Sequence, residues 1–259
     1  YLRELAAGGT LVIGLAPAVT VNVNVQQVNL NSTTTARTST GTPAALAGAT
    51  TTDNGPIKVV TEAGTLTVSE PVSANSSGDI LLEARGVASD VLVNAQVTSD
   101  LGHINVIAAD DVVQTANIST GAGSIYVRAH AGSIAMGATV QSTAAGNNIV
   151  YQAAQNVTIG QLTAAANSVS VMAGGSIFDA QNDTTTRDGD TGFSILGGDA
   201  RAENIQAVNA RLQAGGSIGV ADNPLDLAVT NVAASAGINV YLLDSGSLDI
   251  TSVGPIAAT

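Results

Sequence analysis

The residues whose chemistry could amount to a site are two histidines, a handful of carboxylates and a few arginines. His103 and His130 fall in neighbouring lines of a repeat. A shared metal is conceivable, but neither has an acidic or cysteine partner at ligand spacing, so an outward strand or corner position is expected. Asp179, Asn182, Asp183, Asp188 and Asp190 gather oxygen donors in a glycine-containing stretch, the donor set that calcium takes. Their spacing matches neither the EF-hand loop nor the Gly-Gly-x-Gly-x-Asp nonapeptide, so calcium competes there with a solvated turn, and no other cofactor is expected. Asp110 and Asp111 read as a corner. Glu83, Arg85 and Arg128 are what a polysaccharide lyase or glycosidase would draw on, since that chemistry wants aligned carboxylates, cations and aromatic platforms. Glu83 has no acid in the equivalent slot next door, Arg85 and Arg128 stand apart, and tryptophan is absent. The expectation is no enzyme, with no catalytic or metal residue assigned. An ice-binding face would need a regular Thr-x-Thr ladder, and on this reading the threonines do not recur in register.

These residues sit on a repeat. From Gly55 to Ala173 the chain says one thing five times, at a spacing of about 20 to 24 residues, the mark of a solenoid, propeller or array. Each line opens with Gly and then alternates: Ile57 and Val59, Ile80 and Leu82, Ile104 and Val106, Ile125 and Val127. Alternation puts such side chains on one face of a short strand. A second segment repeats it with Leu66 and Val68, Val91 and Val93, Ile134 and Met136, Val157 and Ile159. A third, weaker position holds Val72, Val97, Ile118, Val140 and Leu162. Three short strands make one turn of a triangular coil, which buries its inner face only by stacking on the next. Propeller blades are about twice as long and rich in aromatics. The segments are too short and too β-branched for helical repeats.

Composition agrees. The 259 residues contain no cysteine and about 2% aromatics, while 45% are hydrophobic. Small and branched side chains fill a thin core between stacked strands. The net charge of −12 with only eight Lys plus Arg leaves no basic patch for phosphate, so nucleic acid is not an expected partner. Leu11 to Ala18 is too short to span a bilayer.

Taken in order, Tyr1 to Ala7 could form a helical turn. Residues 1–31 read as an N-terminal β segment: Val19, Val21, Val23 and Val25 alternate, either as the first coils or as a strand covering the end of the stack. A bulge or corner is expected at Gln26-Gln27, before Val28 and Leu30 resume the phase. Residues 32–54, rich in Thr and Ser, read as a surface loop, open to O-glycosylation or partner binding. The solenoid occupies 55–259, with a corner insertion at about 178–203. It resumes at Asn204-Ile205, Leu212 and Ile238 start the last two coils, and Leu248 and Ile250 form a closing second strand. The expectation is an all-β parallel β-helix of about eight coils, on the order of 40 Å long. With no end caps in view, it is expected to be part of something longer.

The lines GDILLEA, GSIYVRAHAGSIAMGATV, AGGSIGVADNPLDLAV and GINVYLLDSGSLDI resemble the filamentous haemagglutinin-type repeats of large bacterial surface and secreted exoproteins, over about Gly55 to Val253. That resemblance implies a right-handed parallel β-helix and a cell-surface or extracellular setting. It implies a non-catalytic adhesin shaft or a self-assembling filament stacked head to tail. Its partners would be copies of itself, flanking coils, or host and matrix glycans or proteins. The alternative is a β-helical module that degrades or binds polysaccharide.

Overall fold

The Gly-opened lines become rungs because each alternation has only one way to bury its aliphatic set. In the computed structural model, which describes residues 2–4, 10–16, 21–28, 34–41, 45–181, 187–188, 192–193 and 203–258, the chain is an all-β stack of parallel coils. On the first face Ile57, Ile80, Ile104, Ile125, Ile149 and Val169 lie one above another in parallel register. Beside them run Val59, Leu82, Val106, Val127, Tyr151 and Val171, all fully buried. The second face is a seven-stranded sheet from Leu11–Ile13 to Ile177–Asp179. Bridges from Ile177 to Ile218 and on to Val240 extend it. The third face stacks Val72, Val97, Ile118, Ser142, Leu162 and Ile205. Towards the C-terminus the corner between third and first faces straightens. Gln161–Ala173, Ile205–Ala214 and Leu225–Ala236 then each serve both faces as one strand. The two faces thereby join in a 16-stranded sheet.

The opening glycines have a steric reason. A Cβ on Gly123 would lie 1.9 Å from the carbonyl oxygen of Gly102, and one on Gly102 would lie 2.1 Å from that of Gly78. The backbones at this corner stack closer than any side chain allows.

Several expectations are corrected. Leu2–Glu4 is a strand, not a helical turn, and pairs in parallel with Val59–Thr61. With Leu11–Ile13 and Ala49–Thr51 it makes the N-terminal coil, so 32–54 is not a plain loop. Val21–Val28 is neither a coil nor a lone covering strand: it pairs antiparallel with Thr34–Gly41. The ladder runs through Gln26 and Gln27 without a register break, so the expected bulge is absent. Leu15–Ala16 pairs with Leu46–Ala47 in the same hairpin register, so a ribbon leaves the first coil between its second and third faces. Val19 and Leu30 lie outside the described residues.

The corner insertion starts later than expected, because Phe178 and Asp179 complete a second-face strand. Inside it, Arg187–Asp188 pairs with Gly192–Phe193. The last coil shifts by one strand. Val240, not Leu248, continues the second face, and Asp249–Ile250 returns to the first. Ile238 starts no strand and is 73% exposed. Its N–H donates to the Gly216 carbonyl, so it sits at the corner before the second face, and its alternation with Val240 only imitates a first-face rung.

Candidate functional site

The polar residues at the corners form ladders of their own. Before each second-face strand stands a short acceptor: Asp90, Asp111, Ser133, Asn156, Ser176. Each takes the backbone N–H of its counterpart one coil on. Asp90 Oδ1 accepts from Asp111, Asp111 Oδ1 from Ser133, Ser133 Oγ from Asn156, Asn156 Oδ1 from Ser176, and Ser176 Oγ from Ser217. The distances run from 2.6 to 3.3 Å. Turn residues leave backbone donors that a strand ladder cannot reach, and these side chains satisfy them.

His103 belongs to the same device at the corner before the first face. Its backbone N–H donates to Asp79 Oδ1 at 2.8 Å, and its Nδ1 accepts the N–H of Ser124 at 3.0 Å. An accepting Nδ1 places the ring proton on Nε2. His130 is exposed and follows Ile125–Ala129, so the two histidines occupy opposite ends of the first-face strands and are not brought together.

His130 does meet the expected enzyme candidates. With Glu83, Arg85 and Ile107 it lines an open depression of about 270 Å³ on the first face. Arg85 there bridges Glu83 at 2.8 Å and Glu62 at 3.2 Å. Its side chain is 42% exposed, so these pairs add little stability. Arg128 faces outward two coils from Glu83, beside Ile107.

Of the acidic stretch, Asn182, Asp183 and Asp190 lie outside the described residues. Asp179 is at the end of its strand, where Oδ1 accepts the Gln181 N–H and a proton of the Asn204 amide. Asn204 is fully buried and also donates to the Ile159 and Gly160 carbonyls, stapling the coil across the insertion. The carboxylates that do converge are Asp90, Asp110 and Asp111, with oxygens within 4.8 Å of one another. They are half-buried and could share a hard cation, though two of them already serve the corner ladder.

Two arrangements were not foreseen. Inside the core, Gln114, Ser142 and Tyr151 close a ring. The Gln114 amide donates to Ser142 Oγ at 3.0 Å, Ser142 lies 2.7 Å from the Tyr151 hydroxyl, and that hydroxyl donates to Gln114 Oε1 at 2.8 Å. All three are fully buried, and burial pushes the Tyr151 hydroxyl well above its ordinary titration range, against a smaller downward pull from Ser142. On the outside of the third face, Thr50, Ser73, Thr98, Ser119, Thr143 and Thr163 stand in register on successive coils. Thr98 Oγ1 donates to Ser73 Oγ at 3.3 Å. Two residues earlier on four of these coils runs a second column, Gln96, Asn117, Gln141 and Gln161, while Gly48 and Pro71 hold that position on the first two. The Gln141 N–H donates to Asn117 Oδ1, and its side chain donates to Gln161. The expectation that the threonines do not recur in register is corrected for this one column, which mixes Thr and Ser; a Thr-x-Thr pair is absent from it. The column's signal was the repeated Val-Ser-Ala, Val-Thr-Ser, Ile-Ser-Thr, Ser-Thr-Ala, Leu-Thr-Ala core of the third strands.

No protein-family model, no curated protein and no solved structure matches the chain. The likeness to filamentous haemagglutinin-type repeats therefore rests on the repeated lines themselves. Among the described residues no helix is long and apolar enough to cross a membrane.

Proposed function

We propose that the chain is a structural, non-catalytic shaft of an extracellular bacterial surface protein, an adhesin or a head-to-tail filament. The observation that carries the reading is the unbroken aliphatic column from Ile57 to Val169 on the first face, with acids and amides engaged at the corners in joining one coil to the next. A quasi-one-dimensional stack of this kind offers length and stiffness as its product. The acidic surface favours side-by-side repulsion over lateral clumping. Head-to-tail contacts between coil ends would build open fibres.

The rival reading, a module that binds or cleaves polysaccharide, is favoured by the depression holding Glu83, Arg85 and His130. Incubation with a panel of acidic and neutral polysaccharides separates the two. The shaft reading expects no product; release of new reducing ends, abolished by Glu83→Gln, would replace it. Negative-stain images at rising concentration test the filament version, which single rods at every concentration would remove.

A further inference from the structure

We propose that the third face of the solenoid is an ice-binding surface. The face carries two straight columns. One is hydroxyl: Thr50, Ser73, Thr98, Ser119, Thr143 and Thr163. The other is amide: Gln96, Asn117, Gln141 and Gln161. Within a column the repeat is the rung spacing, ~4.8 Å, and the columns stand two strand residues apart, roughly 7 Å. Neither contains a charged residue or an aromatic ring.

This pattern fits a repeating, uncharged, hydrogen-bonding partner. A single hydroxyl–water bond gives almost no net gain, because liquid water offers the same bond. Gain requires many such groups held in fixed relative positions and engaged together, as linked sites gain over single ones. The scaffold supplies that rigidity. From Ser73 to Thr163 each Thr or Ser lies between two buried inward residues, such as Val97 and Ser99 around Thr98. β-Branching restricts the Thr side chains further. Ice presents flat rows of oxygen at a repeat on this scale, so water ordered between the rungs can join the lattice.

Other partners fit less well. An acidic or basic ligand would find no opposite charge in either column. A sugar chain would gain most from aromatic platforms, and the described aromatics stand outside both columns: Tyr126 on the first face, Phe178 on the second, Tyr151 in the core, Phe193 in the corner insertion and Tyr241 before the last third-face strand. The proposal stands apart from the shaft reading, since a rod with or without adhesive ends could carry such a face.

The test is thermal hysteresis and ice-affinity retention of the whole chain. Thr98→Tyr and Thr143→Tyr, made separately, place a bulky ring in the hydroxyl column. Thr158→Tyr puts the same ring on the outside of the second face as a control. Circular dichroism melting confirms that each variant folds. The expected result is ice shaping and hysteresis by the unaltered chain, most of it lost in either third-face variant and retained in Thr158→Tyr. The proposal is overturned if the unaltered chain neither shapes nor enters ice, or if all three variants lose activity equally. Retention on cellulose or chitin without any effect on ice would also overturn it, in favour of a glycan-binding face.

Discussion

Tyr151→Phe removes one oxygen from the closed ring in the core and leaves the rest in place. The Gln114 amide still reaches Ser142, and Ala116 O accepts from the same nitrogen at 3.1 Å. What is lost is the donor to Gln114 Oε1 and the acceptor facing Ser142. Leaving a buried acceptor without its donor costs about 1–3 kcal/mol, more than the ~1 kcal/mol net value of an ordinary hydrogen bond. Expected destabilisation is about 2 kcal/mol in equilibrium denaturation. Replacing all three polar residues tests the cause. Ser142→Val completes the ladder between Ile118 and Leu162. Gln114→Met matches the Met136 stacked on it. With Tyr151→Phe these should recover most of the loss, because an apolar core has no orphaned group. The same ring sets an alkaline limit. In the unfolded chain tyrosine ionises near pH ~10, while burial keeps the folded Tyr151 protonated to higher pH. Its contribution is complete below about pH 10 and declines above it, by about 1.4 kcal/mol per pH unit. Tyr151→Phe should flatten that decline. A neutral single substitution, or a triple variant worse than the sum of the singles, would refute the reasoning.

Two further outcomes follow from the corners. Gly123→Ala should destabilise by about 1–3 kcal/mol, as overpacking does, because its methyl would press on the Gly102 carbonyl; denaturation midpoints at matched slopes read this out. Asp111→Ala should cost about 1 kcal/mol and speed amide exchange at Ser133, whereas Asp111→Asn retains an acceptor and should change little.

The aliphatic rungs were legible because period-two alternation and a leading Gly recur together: Ile80, Ile104 and Ile125 stack as expected. The same period misled at Val21–Val28, since a parallel coil and an antiparallel hairpin alternate alike. It misled again at Ile238, a corner residue whose alternation with Val240 mimics the start of a first-face strand. The hydroxyl face was lost through one slip of register. Val140 is buried and looks like the third-strand aliphatic, but Ile118 pairs with Ser142. Placing Val140 in the ladder puts Gln141 where Thr143 stands, and reading 32–54 as a loop removes Thr50. Ser142 could stand inward only because Gln114 and Tyr151 bond it, a long-range partnership that no local pattern announces.

The central claim is that equivalent residues of successive lines sit one rung apart, and the absence of cysteine makes it directly measurable. Spin-label pairs on outward second-face positions, with Thr67 fixed and the second label at Ala135, Thr158 or Phe178, report it by pulsed electron resonance. The register places these three, four and five rungs from Thr67. Backbone separations of roughly 14, 19 and 24 Å are predicted, rising by one ~4.8 Å step each time. Distances that fail to rise in equal steps of this size would contradict the stacked-coil account.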